Sequence, residues 1–181
     1  MPALDDDILR IMVSTDNHLG FMDKDIVRKD DPFAAFEEVL VSAVNKNSDM
    51  VLLAGDLFHD AKPSRRVLNT TMKIAKDHSL GHDPVFLEFL NSSSDLFANT
   101  NGRANFEDPC MAVSLPIFAI HGNHDEPSKD GGLESLSTLD IFAASNLINY
   151  FGKSKQVDDI EIEPILLKKG GTFVAIYGLG A

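Results

Sequence analysis

Three short stretches of the 181-residue sequence carry oxygen- and nitrogen-donor side chains in pairs: Asp16 and His18 in "TDNH", Asp56 and His59 in "GDLFHD", and Asn123 and His124 in "GNHD". None of the three offers sulfur, so the donor chemistry suits hard or borderline divalent cations. A carboxylate has two oxygens and can bridge two ions, which makes Asp56, in the middle cluster, the natural shared ligand. Asp16 and His18 would complete much of one site, and Asn123 would serve a second through a neutral carbonyl, adding no charge for a phosphate to oppose. Two such ions clamp a phosphate, lower the pKa of a bound water and offset charge on the leaving oxygen. His124 need not be a ligand, since it can donate a proton or a hydrogen bond to the developing oxyanion. Each cluster alone is also ordinary turn and cap chemistry; the occurrence of all three is what points to a metal site. Of the other histidines, His78 and His82 flank a helix end and a loop, where a solvated or capping role is expected, and His121 is expected to support the turn.

The clusters can meet only if the chain brings them to one place. Each follows an apolar run of strand length: "ILRIMVS", "MVLLAG" and "LPIFAI". Between the first two, Phe33, Phe36, Val39, Leu40, Ala43 and Val44 recur at helical spacing, with Asp31 expected as N-cap and Pro32 as the first helical residue. After the second, Val67, Leu68, Thr71, Met72 and Ala75 mark another helix, and Leu133, Leu136, Leu139 and Phe142 suggest one after the third. "PILLKK" and "TFVAIYG" read as further strands. Strands alternating with helices predict an α/β fold, a largely parallel sheet with helices covering its faces. In such a sheet the carboxyl ends of the strands line one edge, and the three clusters converge there. Residues 79–113 lose periodicity and are expected to form a long surface insertion. No internal repeat or domain boundary is visible, so one domain is expected.

With 28 acidic against 16 basic residues the formal net charge is -12, which excludes a general basic coat for nucleic acid. A polyanion remains accessible if metal ions or a local patch supply positive charge. Lys62, Arg65, Arg66, Lys73 and Lys76 form such a run, unbroken by an acid and beginning just past the second cluster; a solvated helix face is the competing reading. The single cysteine, Cys110, rules out an internal disulfide and fits a reducing compartment. With no signal-peptide core and no apolar run of membrane-spanning length, a soluble intracellular chain is expected, without membrane attachment.

The set D-x-H, G-D and G-N-H-[DE] resembles that of the calcineurin-like metallophosphoesterases. Within them, "DNHLGFMDKD", "GDLFHDAKPSR", "IHGNHDEP" and "YGLG" resemble the nuclease subunits of the double-strand-break repair complex, the meiotic-recombination-eleven nucleases, from about residue 9 onward. The superfamily's protein Ser/Thr phosphatases would show Asp-Arg-Gly after the second motif and a closing Glu in the third, where this sequence has "LFHD" and "GNHD". The resemblance implies a two-manganese enzyme, a 3′-5′ exonuclease and endonuclease acting on DNA ends. It further implies a homodimer working with the Rad-fifty ATPase and, in eukaryotes, with nibrin. Asp16, His18, Asp56 and Asn123 match metal ligands, His124 the catalytic histidine, and His59 a second active-site histidine associated with exonuclease action. The 79–113 insertion is similar to the eukaryotic loop through which nibrin docks and the dimer is braced, which implies the nucleus. The family's later metal-binding motifs, His-Gln-Asn and Gly-His-x-His, are absent, and no histidine follows His124. Residues 1–181 are therefore expected to be the amino-terminal part of the nuclease domain, weakly active or inactive alone. The alternative is a non-catalytic module for dimerisation, through helices near 64–78 and 134–146, and for nibrin binding.

Overall fold

The computed structural model describes residues 5–91, 96–97, 102–129, 134–153 and 160–180. In chain order its regular elements are β1 (Ile11–Ser14), α1 (Asp31–Asn45), β2 (Met50–Ala54), α2 (Arg65–Ser79), β3 (Glu88–Phe89), β4 (Ile117–Ile120), β5 (Ser128–Lys129), β6 (Ser135–Leu136), α3 (Thr138–Ala144), β7 (Asn149–Tyr150), β8 (Ile165–Lys169) and β9 (Thr172–Ile176). The three apolar runs preceding the donor clusters are β1, β2 and β4, and with β7 they form a parallel sheet of order β1-β2-β4-β7. Ser14 lies opposite Leu53 and Ala54 opposite Ile120, so the three strands finish along one edge.

The inner strands β2 and β4 are covered on both faces, which is why they read as continuous apolar runs rather than as alternation, while the edge strand β1 leaves Val13 exposed. Val51, Leu53, Ile117 and Ala119 point into one core with Phe33, Phe36 and Leu40 of α1, Val67 and Ile74 of α2, and Leu139 and Phe142 of α3. The intervening Met50, Leu52, Phe118 and Ile120 point into a second core with Leu87, Phe97, Phe151, Ile165 and Leu167. The helices therefore cover one face, not both as expected from the sequence. The other face is covered by an antiparallel sheet of order β3-β8-β9. The cause is local: the turn in "KKGGT", with Gly170 at φ +54°, folds β9 straight back on β8. A tight hairpin enforces antiparallel pairing, whereas joining the parallel sheet needs a long crossover.

Three further expectations shift. In α1 the N-cap is Asp30 and Asp31 is already helical; the Asp30 side chain makes no cap bond but pairs with Arg66 of α2. Leu136 lies in the hairpin strand β6, opposite Ser128, while Leu133 lies outside the described residues. The helix starts only at Thr138, because Ser137 and Asp140 close a capping box: the Ser137 N–H donates to Asp140 Oδ2 at 2.7 Å and the Leu139 N–H to Ser137 Oγ at 3.1 Å. The stretch 79–113 is not wholly a surface feature. Leu87, Phe97 and Ala104 are core residues, β3 pairs with β8, and buried Asn105 exchanges side-chain and backbone hydrogen bonds with Asn149 at 2.8 and 2.6 Å. Residues 92–95 and 98–101 lie outside the described residues. Among the described residues no helix is long and apolar enough to cross a membrane.

Candidate metal centre

Beyond the strand ends, the loops after β1 and β2 run on side by side. The Asp16 N–H donates to the Gly55 carbonyl at 3.2 Å, His18 to Asp56 at 3.0 Å, Leu19 to Leu57 at 2.8 Å, and His59 back to Leu19 at 3.0 Å. Fully buried Leu19 and Phe58 anchor this pair of loops in the core. Asp16, His18 and Asp56 all hold left-handed backbone, at φ 54°, 46° and 49°. Such conformations cost a non-glycine residue about 1–3 kcal/mol and persist where the surroundings over-determine them, most often at functional sites.

The third loop closes on Asp56 from the β4 side. The His124 N–H donates to Asp56 Oδ1 at 2.9 Å. A Cβ on Gly122 would lie 2.2 Å from the same oxygen and 2.7 Å from the Asp56 nitrogen, so only glycine admits this approach. Asp16, His18 and Asp56 each place one donor atom within 4.8 Å of the others, and so do His18, His59 and His124. The rings of His18 and His124 meet edge-on at 4.8 Å, and those of His59 and His124 stack at 5.3 Å. Nδ1 of His124 donates to the His59 carbonyl at 2.7 Å; since a carbonyl only accepts, the proton is on Nδ1 and Nε2 carries the lone pair of the neutral ring.

Five of the six sequence-predicted site residues, Asp16, His18, Asp56, His59 and His124, thus gather at the sheet edge. The sixth, Asn123, is exposed in the same turn, between Gly122 and His124. A divalent cation fits this set. Asp56 is buried, yet among the described residues its carboxylate has only the His124 N–H as a hydrogen-bond donor, and two carboxylates with imidazoles are an oxygen and nitrogen donor set for such an ion.

Sequence reading passed over the groups that hold the turn. Asp125 is fully buried and accepts from the Gly122 N–H at 2.7 Å and the Phe58 N–H at 3.2 Å, and its carbonyl accepts from Ser137 Oγ at 2.6 Å. Burial pushes its carboxyl above the ordinary range, against the N–H groups of Gly122, Phe58 and Leu57; the charge of Asp56 pushes the same way. The signal was present, a turn-stabilising Asp three residues after a glycine. His121, expected to support the turn, is buried with Nδ1 2.7 Å from the Tyr150 hydroxyl. Burial lowers the His121 pKa and raises that of Tyr150, so both are neutral. No local pattern marks Tyr150 for this task. The second glycine of "YGLG" fits against His121, where a Cβ on Gly180 would lie 1.9 Å from Cε1. Asn17, between two predicted ligands, takes a 2.9 Å bond from Ser14 Oγ on its oxygen, and its buried Nδ2 has no partner among the described residues.

The basic run divides. Arg66 is committed to Asp23 at 2.6 Å and to Asp30, and lies over the Phe33 ring, tying α2 to α1. Arg65, Lys73 and Lys76 are exposed. His78 pairs with Glu37 at 3.1 Å, a second tie between the two helices.

A family model described as calcineurin-like phosphoesterase matches residues 9–180. Among curated proteins, the chain is 46% identical over 179 residues to the double-strand break repair protein mus-23 of Neurospora crassa, covering 99% of this chain and 24% of that protein. It is 48% identical over 178 residues to the double-strand break repair protein MRE11 of Arabidopsis thaliana, covering 96% and 24%, and 43% identical over 181 residues to that of Homo sapiens, covering 99% and 25%. The chain thus spans about a quarter of the length of these relatives. Since the match over residues 9–180 takes in all three donor-bearing turns and both cores that hold them in place, the chain belongs to the calcineurin-like phosphoesterase family.

Proposed function

We propose that these residues build the amino-terminal part of a two-manganese DNA nuclease, acting as 3′-5′ exonuclease and endonuclease on the ends of broken DNA. The observation that carries this reading is that Asp16 and Asp56 form one donor group with His18, and His59 and His124 another with the same His18. When bound, the ions would supply Lewis acidity toward phosphate and a water acidified for attack. Asp56, buried and gripped through one oxygen by the His124 N–H, is the candidate shared ligand; Asp16 and His18 serve one ion and Asn123 the other. His124 is the candidate proton donor to the leaving oxygen: its Nδ1–H is held on the His59 carbonyl, which orients the ring and leaves Nε2 to face the leaving group. His59, stacked on His124, supports that ring and assists exonuclease action.

The relatives, double-strand break repair proteins by name, support DNA ends as substrate and the nucleus as the place of action. Exposed Arg65, Lys73 and Lys76 supply local positive charge for the backbone on an otherwise acidic chain. A homodimer through α2 and α3 is supported by exposed Ile141, by exposed Leu136 in β6 just before α3, and by half-buried Leu68 and Met72. The Rad-fifty ATPase and nibrin, the latter at residues 79–113, complete the proposed partners. The test is release of nucleotides from a 3′-labelled linear duplex with and without Mn2+, by this chain and by a version extended to the relatives' length. Manganese-dependent degradation by the extended protein is expected; its absence there overturns the reading.

A further inference from the structure

His18 is the one residue common to both donor groups, and its two ring nitrogens face different ones. Nε2 lies 3.8 Å from Asp16 Oδ1, on the carboxylate side, while Nδ1 lies 3.5 Å from Nδ1 of His59, on the imidazole side. A neutral imidazole has one lone pair, so it is a ligand to one side or to the other. The imidazole side is already close to a ligand shell. The 3.5 Å between the His18 and His59 nitrogens is near the roughly 3.3 Å separating two nitrogens on one tetrahedral zinc at about 2.0–2.1 Å. His124 adds a third nitrogen within reach. Its Nδ1–H on a backbone carbonyl is the outer hydrogen bond that metal-binding histidines characteristically make, leaving Nε2 free to ligate.

We propose that His18, His59 and His124 form an alternative cation site, selective for a borderline-soft ion of the zinc type, and that filling it empties the site of Asp16, His18 and Asp56. The selectivity follows from the donors. Three neutral imidazoles favour zinc over manganese or magnesium, whereas the set with two carboxylates favours the harder ions. The exclusion follows from the His18 tautomer. Zinc on Nδ1 requires the proton on Nε2, and that proton removes the only nitrogen the carboxylate site could use. The same ion also occupies His124, proposed to act on the leaving group, and His59, proposed to support its ring. The ion that binds thereby decides whether the centre is assembled for hydrolysis or blocked. The proposal concerns cation binding and stands whether or not the chain cleaves DNA.

The experiment titrates Zn2+ into the purified chain with Mn2+ bound, following free Mn2+ by electron paramagnetic resonance and zinc affinity by competition with a chromophoric chelator. The variants are His59→Asn, His124→Gln and Asp16→Asn, with circular dichroism as the check on fold. Zinc is expected to release manganese one for one. His59→Asn and His124→Gln should each weaken zinc by more than the roughly 10- to 100-fold that loss of an outer hydrogen bond costs, with manganese affinity nearly unchanged, and Asp16→Asn should do the reverse. Zinc binding that leaves manganese in place overturns the exclusion. Zinc affinity that survives both histidine variants but falls in Asp16→Asn overturns the site. If the chain holds no manganese at all, the carboxylate site of Asp16, His18 and Asp56 and with it the exclusion are overturned, while the chelator competition still decides whether the histidines take zinc.

Discussion

Gly122→Ala tests the idea that the third loop aligns Asp56 by sitting directly against it. The added Cβ would stand 2.2 Å from Asp56 Oδ1, and ordinary contact begins at 3.4 Å, so a gap of about 1.2 Å (3.4 less 2.2) must open between them. The same Cβ would stand 2.7 Å from the Asp56 nitrogen, so backbone as well as side chain must give. Part of the displacement falls on the carboxylate and on the His124 N–H bonded to it. Metal–ligand distances tolerate about 0.2 Å, so this shift should lower Mn2+ affinity by at least the 10- to 100-fold typical of a lost supporting contact. Overpacking costs about 1–3 kcal/mol, a fall in Tm of roughly 2–12 °C for a chain of this size, so the variant should still fold. Calorimetric titration of Mn2+ into the wild type and the variant reads the effect. Gly81→Ala, whose Cβ would meet only the Ser114 side chain, Oγ at 2.6 Å and Cβ at 3.1 Å, controls for overpacking as such. Manganese affinity in Gly122→Ala within twofold of wild type would refute the alignment argument.

Other consequences can be checked separately. In a protein of the relatives' length, His124→Asn should keep near-normal manganese content and lose about 10²- to 10⁴-fold in cleavage rate; loss of metal together with activity would make His124 a ligand. Burial depresses the His121 pKa below its ordinary 6.5, so its contribution to stability is complete above that pH and is lost as pH falls through the lowered value. Chemical denaturation at pH 7.5 and 5.5 should therefore show a smaller acid loss in His121→Gln than in wild type, and equal losses would contradict the burial argument. Charge reversal at Arg65 and Lys73 should weaken DNA binding mainly at low salt, measured by fluorescence anisotropy across a salt series. Arg66→Glu should instead lower Tm, because it breaks the contacts of α2 with Asp23 and Asp30; a change in DNA binding with unaltered stability would reverse that assignment.

The convergence of the donor-bearing turns was legible because a parallel sheet has one edge for its carboxyl ends and each cluster followed an apolar run directly. What the sequence hid was covering and support. That β8 and β9 form a separate sheet follows from the two glycines at 170 and 171, a short turn easily read past when both runs look like further strands. The start of α3 was misplaced because Leu133 and Leu136 happen to keep helical spacing with Leu139, while the capping box at Ser137 and Asp140 sets the real boundary. Residues 79–113 lack periodicity because their core side chains, Leu87, Phe97 and Ala104, arrive singly from irregular backbone. Asp125 was quoted within its motif but not weighed, and Tyr150 reaches His121 only through the pairing of β7 with β4. Such contacts are set by tertiary structure and leave no local period.

Manganese binding to Asp56→Asn tests the central claim most directly. Asparagine keeps the shape of the side chain and an oxygen to accept from the His124 N–H, so the turn survives while the charge and the bridging capacity are removed. Equilibrium titration with Mn2+, followed by electron paramagnetic resonance and accompanied by a thermal melt without metal, should show manganese bound by the wild type and none by the variant, with nearly the same Tm. Wild-type manganese affinity in a folded Asp56→Asn protein would contradict the account.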